Sequence, residues 1–267
     1  MINFNSDSNS ASILQQVQQK QNTLFEQLAT GRRVNSAADD SAAQQIIDRL
    51  TSQVEGNRQS ISNAYDGVSL AQVAESGLQG INEDAQRIRE LSVQAGNGAL
   101  NDADRQALQS EITQLQENIT QTIDQTNFGG RPLLSEEGSI DFQVGANAGQ
   151  QISVGTRDVQ SELDGLLNVD VSTAAGAQEA LDVADEALEI VGSARGDLGA
   201  VQNQFESAAR NLSQTDVNAS AARSRIQDTD FAQATSENAA AGVLGQSALS
   251  VQAQANQSQG QVLTLLS

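Results

Sequence analysis

The residues of this chain that could do chemistry are its aspartates, which cluster in two short segments. Asp39 and Asp40 follow "RRVNSAA", and Asp228 and Asp230 belong to a "DTD" segment. Paired carboxylates can bind calcium, but neither segment has the central glycine and terminal glutamate of an EF-hand loop. No aromatic sugar platform accompanies them, which disfavours a glycosidase pair. We therefore expect helix N-caps, or ion pairs with four neighbouring arginines: Arg32, Arg33, Arg223 and Arg225.

The other residue types that catalysis needs are missing or out of context. The chain has no histidine and no cysteine, so it has no imidazole base, no thiolate nucleophile and no zinc site of the usual kind. Gly96–Gly98 and Gly129–Gly130 lack the preceding strand, following helix and lysine of a phosphate-binding loop, so they predict turns. The sequence thus predicts a protein that is not an enzyme and that uses no metal or cofactor.

The charge balance narrows the class of partner. The formal net charge is −20 over 267 residues, and Lys20 is the only lysine. This sign repels phosphate backbones and anionic lipids, so we expect no binding to nucleic acid and none to membranes. The sequence has no run of about 18 apolar residues and no cleavable secretory signal at its start. We expect a protein that stays in the cytoplasm or leaves it without signal cleavage.

Apolar residues recur at intervals of three and four residues in four long segments, as on the buried face of packed helices. These segments are Leu14–Leu28, Ile47–Ala71, Leu108–Thr122 and Val191–Ile226. If the chain is helical from about Ala180 onward, that helix is roughly 100 Å long, since each residue adds about 1.5 Å. A helix of that length must pack against other long helices, from this chain or from neighbouring copies.

The pattern changes between the third and fourth helical segments. In "SIDFQVGANAGQQISVG" apolar and polar residues alternate on both sides of a glycine-bracketed turn, which predicts a β-hairpin near residues 140–155. The expected fold is therefore mainly α: a long antiparallel, coiled-coil-like helical bundle with a small β-hairpin. We expect both termini to be helical and to lie near each other.

The last residues of the chain carry a second apolar signal. The end of the sequence, "VLTLLS", places four apolar residues on the final turns of a segment otherwise rich in glutamine and asparagine: Val262, Leu263, Leu265 and Leu266. An isolated helix with so little apolar surface would fray. We therefore expect these ends to be ordered by a partner.

Several segments, taken in order, closely resemble bacterial flagellin. "LATGRRVNSAADDSAAQQI" resembles the family's transition from inner to outer helical domain, and "TNFGGRPLLS" with "FQVGANAGQQISV" is similar to its turn and hairpin. Near the other end, "AARSRIQDTDFAQATSE" and "SVQAQANQSQGQVLTLLS" resemble its C-terminal motifs. The resemblance covers nearly the whole chain. The hairpin leads directly towards the returning helix, which implies a short form that lacks the outer variable domains.

The resemblance implies an organisation and a function. Residues 1–40 and 222–267 would form a discontinuous inner filament-core domain, and residues 41–221 an outer helical domain. The subunit would polymerise with itself into the helical filament used for swimming. The implied core packing joins N- and C-terminal residues: Leu14, Val17, Leu24, Leu28, Val262, Leu263, Leu265 and Leu266. The implied spoke between domains comprises Gly31, Arg32, Arg33, Asn35, Asp39 and Asp40.

The resemblance also implies a location and partners. Flagellins leave the cell unfolded through the flagellar type III apparatus, so the protein would be secreted and extracellular. Hook-junction proteins, filament-cap proteins and an export chaperone on the C-terminal helix would be its partners. "QRIREL" matches the segment read by the host Toll-like receptor for flagellin, which implies contacts at Arg87, Leu91 and Glu111. The alternative is that Arg87 and Glu111 form an ion pair across two helices.

Two other functions fit part of the sequence. A hook-filament junction protein would share the terminal helices and the export route, but the segments "ARSRIQDTDFA" and "GRRVNSAADD" favour flagellin. A cytoplasmic coiled-coil scaffold would explain the heptads, but it would not explain a hairpin between helices. Localisation and polymer length separate these alternatives.

Overall fold

A computed structural model describes the backbone of residues 5–266 and the side chains of residues 12–257 and 261. Within this range the chain is mainly helical, with four strands in two small antiparallel sheets. The helices are α1 (Asn5–Thr30), α2 (Ser41–Ala95), α3 (Asp102–Gln125), α4 (Val159–Glu162), α5 (Asp164–Leu167), α6 (Ala174–Gln227) and α7 (Phe231–Leu266). The strands are β1 (Asn127–Phe128), β2 (Arg131–Pro132), β3 (Ser135–Gln143) and β4 (Gln151–Asp158).

The chain forms two compact units. The terminal unit comprises residues 1–54 and 217–267, and the middle unit comprises residues 55–216. The terminal unit therefore contains all of α1 and α7, and the middle unit contains α3 and both sheets. Segments of α2 and α6 belong to each.

In the terminal unit, α1 and α7 lie side by side in opposite directions. Leu24 of α1 is buried against Ala234 and Ala241 of α7, and Val17 lies beside Gly245. Since small residues on one helix allow the leucines and valines of the other to approach closely, this pair needs few large side chains. The predicted pairing of the two ends as helices is confirmed.

The middle unit has a core formed by α2, α3, α6 and the inner face of the β3–β4 hairpin. Large side chains come mainly from α2 and α3, and α6 contributes alanines at intervals of three, four and seven residues. This spacing keeps the alanines on one face of the helix. Fully buried members include Leu78, Ile81, Ile88, Ile112, Ile119, Ala180, Ala184 and Phe205.

The predicted hairpin is confirmed and its register is fixed by its buried residues. Ile140 pairs with Val154, and Phe142 pairs with Ile152. Ile152 and Val154 are buried, and the Phe142 ring meets the Phe205 ring edge-on at a centroid distance of 5.4 Å. A register slip by one residue would turn these apolar side chains to solvent, so the core selects this pairing.

Three features differ from the sequence-based expectation. The predicted Gly129–Gly130 turn is confirmed, with φ values of +59° and +81°, but the two short strands that it joins, β1 and β2, are not part of the expectation. The segment after the hairpin contains the short helices α4 and α5, and was expected to lead straight into the returning helix. That helix was expected to be continuous from about Ala180, but it is divided into α6 and α7 between Gln227 and Phe231.

Candidate functional site: the terminal unit and its exposed apolar surface

The segment between α1 and α2 lies against the break between α6 and α7. Gly31 ends α1 with a φ of +70°, and its carbonyl accepts a hydrogen bond from Thr229 N at 3.1 Å. Arg33 N donates to Gln227 O at 2.6 Å. Val34 is 1% exposed and belongs to a small core with Ala43, Ile47 and Ile226. The two interruptions of the helical pattern therefore satisfy each other's backbone groups.

The clustered aspartates act as helix caps and turn anchors. One oxygen of Asp40 accepts hydrogen bonds from Ala42 N and Ala43 N at the start of α2. Asp230 accepts from Ala232 N and Gln233 N at the start of α7. These contacts confirm the expectation of N-caps. They also explain the break between α6 and α7, because a capping side chain begins a new helix at that point.

Asp39 stabilises the turn before α2 and does so best when ionised. Its Oδ2 atom accepts hydrogen bonds from Ser36 N and Asn35 N at 2.9 and 3.0 Å. These backbone donors, first that of Ser36 and then that of Asn35, lower the pKa of Asp39. The turn is therefore fully held at neutral pH and loosens only as the carboxylate is protonated in acid.

Two of the neighbouring arginines donate to neutral acceptors. Arg33 Nη2 donates to the carbonyl of Ile226 at 2.7 Å, and Arg223 Nη1 donates to Thr51 Oγ1 at 3.4 Å. Arg32 pairs with Asp228 through an isolated antiparallel backbone bridge. For Arg33 and Arg223 the expected ion pairs with the clustered aspartates are replaced by these contacts.

One ion pair joins α1 to α7. Lys20 Nζ lies 3.4 Å from Glu237 Oε2, with both side chains partly exposed to solvent. The pKa of Glu237 is lowered, first because Gln233 donates a hydrogen bond to it and then because of Lys20. A pair this exposed adds little stability, but it favours one register between the helices.

The predicted N-terminal seam faces α7 within the same chain. Leu24 is buried, and Leu14, Val17 and Leu28 are half-buried. The predicted partners at the other end are Val262, Leu263, Leu265 and Leu266, whose side chains lie outside the described residues. Their packing with the N-terminal seam stays a prediction, as does the role of Gly31–Asp40 as a spoke between domains.

A second apolar surface of the terminal unit is left uncovered by the side chains that the structure describes. Val243, Leu244 and Val251 are 68%, 61% and 58% exposed. They fall within a stripe about 100° wide because the helix has 3.6 residues per turn. Ile13 of α1, 52% exposed, lines the same surface groove as Leu244. We call these four residues the outer stripe. The outer stripe is not among the predicted surfaces, although its apolar residues stand outside the spacing of the buried seam and could be recognised by that.

The residues matched to the receptor segment lie in the middle unit. Arg87 Nη2 lies 2.7 Å from Glu111 Oε1, and Arg87 Nη1 lies 3.1 Å from Glu90 Oε2. These carboxylates raise the pKa of the Arg87 guanidinium, Glu111 most strongly. Leu91 is only 1% exposed. The structure thus brings Arg87 and Glu111 together as the predicted interhelical ion pair and places Leu91 in the core.

The described part of the chain offers neither a membrane-spanning helix nor a cluster of metal ligands. Residues 5–266 contain no helix long and apolar enough to cross a membrane. Within the side chains that the structure describes, no group of three or more carboxylates could hold a metal ion.

Comparison with protein families identifies the chain. Residues 2–139 match the bacterial flagellin N-terminal helical region, and residues 181–266 match the bacterial flagellin C-terminal helical region. The chain belongs to the bacterial flagellin family. Flagellin of Bacillus subtilis strain 168 is 37% identical over 91% of each chain. Flagellin B of Vibrio cholerae is 31% identical and covers 91% of this chain and 92% of its own length.

Solved structures show the same fold. Flagellin of Bacillus cereus, at 25% identity, aligns with a TM-score of 0.52 over 57% of this chain and 88% of its own. A flagellar hook-associated protein of Vibrio parahaemolyticus aligns with a TM-score of 0.61 over 71% of this chain and all of its own. Its identity is only 15%, so that likeness concerns the fold alone. The higher identity to flagellins decides between filament subunit and junction protein.

The family membership fixes the main function. This flagellin is a structural subunit of the extracellular flagellar filament that drives swimming, and it is not an enzyme. It associates with further copies of itself to form that filament.

Proposed function

We propose that this flagellin polymerises through the outer stripe of its terminal unit, with the stripe of one subunit buried against a different surface of the next. The observation that carries this proposal is the exposure of Val243, Leu244 and Val251 on one face of α7. A contact between two different patches that does not close into a ring generates an open helix, the geometry a filament requires.

The size of the hydrophobic effect supports this assignment. Burying one leucine or valine side chain contributes roughly 1.5–3 kcal/mol. Three such side chains per subunit, repeated along the polymer, offset part of the entropy lost when subunits associate. The acidic surface acts in the opposite direction, since a net charge of −20 keeps free subunits apart until apolar surfaces meet.

The C-terminal residues and the N-terminal seam complete the proposed filament core. Leu14, Val17 and Leu28 are only half-buried against α7, so part of each side chain is available to a neighbouring subunit. We infer that Val262–Leu266 of a neighbouring copy cover this remaining surface. Gly31–Asp40, held by backbone hydrogen bonds to the α6–α7 break, would carry load from this core as the spoke.

Export and assembly partners follow from the same surface. Apolar residues that stay exposed on a folded subunit favour premature association. An export chaperone that covers the C-terminal helix would prevent this before the chain passes, unfolded, through the type III apparatus. Hook-junction and filament-cap proteins would present matching surfaces at the two ends of the polymer.

Cysteine labelling tests the proposed surface directly because the native chain has no cysteine. In monomers, Leu244→Cys should react rapidly with a maleimide. In filaments its labelling rate should fall at least about tenfold, since a residue buried at an interface loses contact with solvent. Ala148→Cys, in the exposed loop between β3 and β4, is the matched control and should stay reactive. Equal labelling of Leu244→Cys in monomer and filament would remove the stripe from the interface.

A host receptor is the remaining proposed partner. The exposed Arg87–Glu111 pair presents both charges on one surface, which a complementary receptor could read, whereas Leu91 is buried in the subunit. We expect Arg87→Ala with Glu111→Ala to reduce receptor signalling by about tenfold or more, since losing one charge-assisted contact is worth about 1.5–3 kcal/mol.

Filament yield and subunit stability of the Arg87→Ala, Glu111→Ala variant must be measured on the preparation used for signalling, so that loss of the receptor contact can be told from loss of folding. An exposed ion pair contributes about 0–1 kcal/mol to stability, so the double variant should still fold. Arg89→Ala with Asp185→Ala removes a second exposed pair on α2 and α6 and provides the control. Signalling that stays unchanged in the first variant, or falls equally in both, would assign Arg87 and Glu111 to subunit structure alone.

A further inference from the structure

The middle unit contains an apolar cavity that the filament function does not use. Its volume is about 150 Å³, and it lies between α2, α6 and the β3–β4 hairpin. Leu70 and Leu78 of α2 form one wall, and Val154 of β4 forms another. Each of these side chains is only 1% exposed. The cavity therefore has buried apolar walls, and it opens to solvent beside the half-buried Arg157 and the exposed Asp197.

Two alanines leave the space open. Ala74 of α2 and Ala194 of α6 line the cavity and are 3% and 4% exposed. Elsewhere in the middle unit, alanines let helices approach closely. Here both alanines border the cavity, and neither has side-chain atoms beyond Cβ to fill it.

The rim carries the only charged groups among the lining residues. Arg157 lies 3.3 Å from Glu162 and 3.5 Å from Asp197, and both Arg157 and Asp197 line the mouth. Glu162 lies outside the lining, so the lining itself carries one charge of each sign, and the Arg157 guanidinium is paired with both carboxylates. Since the ion pairs are partly exposed, each costs little to open.

We propose that this cavity is a binding site for a small, uncharged, apolar molecule about the size of benzene. An engineered apolar cavity of about 150 Å³ in another protein binds benzene, and a hydrocarbon in the cavity described here would make the dispersion contacts that its apolar walls lack. The apolar walls offer nothing to a charged group, and the one guanidinium at the mouth, that of Arg157, is already paired with Glu162 and Asp197. The site therefore takes a neutral monocyclic hydrocarbon and excludes its carboxylate analogue.

Methyl NMR of the intact monomer tests the site. With leucine and valine methyl groups labelled, benzene should shift the signals of Leu70, Leu78 and Val154 in a saturable titration, and benzoate should not. Bound benzene should also raise the unfolding midpoint, because a ligand that binds only the folded state stabilises it. Absence of benzene-dependent shifts at these methyl groups, or equal shifts with benzoate, overturns the proposal.

A filled-cavity variant makes the test specific. Ala194→Leu should weaken benzene binding at least about tenfold, a change of about 1.4 kcal/mol, by occupying the space. Ala200→Leu adds the same atoms at an exposed position of α6 and should bind benzene like the native chain. Ala74→Val fills the cavity with a smaller group and replaces Ala194→Leu if that variant does not fold. Unchanged binding in a folded filled-cavity variant would place the ligand elsewhere.

Discussion

Replacing Val243 and Leu244 by aspartate is expected to abolish filament assembly and to leave a folded subunit. Both side chains are more than half exposed, so the change removes no core contact. In the polymer, each aspartate would have to enter an apolar interface without a partner. Burying an unpaired charge costs several kcal/mol, which exceeds the roughly 1.5–3 kcal/mol that the native side chain contributes. The loss recurs at every subunit of the polymer.

Seeded polymerisation measures this effect. Purified monomer is mixed with short filament fragments, and elongation is followed by negative-stain electron microscopy. Circular dichroism of the monomer checks that the helices persist. Asn147→Asp with Ala148→Asp adds the same number of charges in the exposed β3–β4 loop and should polymerise normally. Filaments of native length from the Val243→Asp, Leu244→Asp variant would show that another surface drives assembly.

The helical segments and the hairpin could be predicted because their signals are local. Leu24 and Leu28 repeat at helical spacing, and Ile152 and Val154 alternate at strand spacing, so each pattern identifies its own buried face. The family resemblance then supplied the pairing of the chain ends. The N-cap expected in the "DTD" segment lies at Asp230, but the sequence alone does not predict the break between α6 and α7 that this cap produces.

The remaining features depend on contacts between distant segments. Gly31 and Gln227 belong to segments far apart in sequence. Only the fold shows that the Gly31 carbonyl accepts a hydrogen bond from Thr229 N and that the Gln227 carbonyl accepts one from Arg33 N. The cavity near Ala74 and Ala194 likewise depends on how α2, α6 and the β3–β4 hairpin pack together. Leu91 shows the same limit: the family motif marked it for a receptor, whereas its helical position places it in the core.

Phe205→Ala is expected to destabilise the middle unit by about 3–5 kcal/mol, the usual cost of removing a buried aromatic ring. Phe205 is fully buried and meets Phe142 edge-on at 5.4 Å, an arrangement worth about 0.5–1.5 kcal/mol beyond the area buried. Urea unfolding of the monomer measures the change, with Tyr65 as a probe. Tyr65 is the only tyrosine, the chain has no tryptophan, and it lies in the middle unit. Phe231→Ala, at a ring 62% exposed, should cost less than about 0.5 kcal/mol.

A second substitution separates ring packing from general loss of core volume. Gly67 lies directly under the Phe205 ring, and a Cβ added there would overlap the ring atoms. Gly67→Ala should therefore destabilise the native chain by about 1–3 kcal/mol through overpacking. In the Phe205→Ala background the added methyl group enters the vacated space, so the two effects should be strongly non-additive. Additive free energies would mean that Phe205 is not held against α2 at Gly67, and that another contact accounts for its burial.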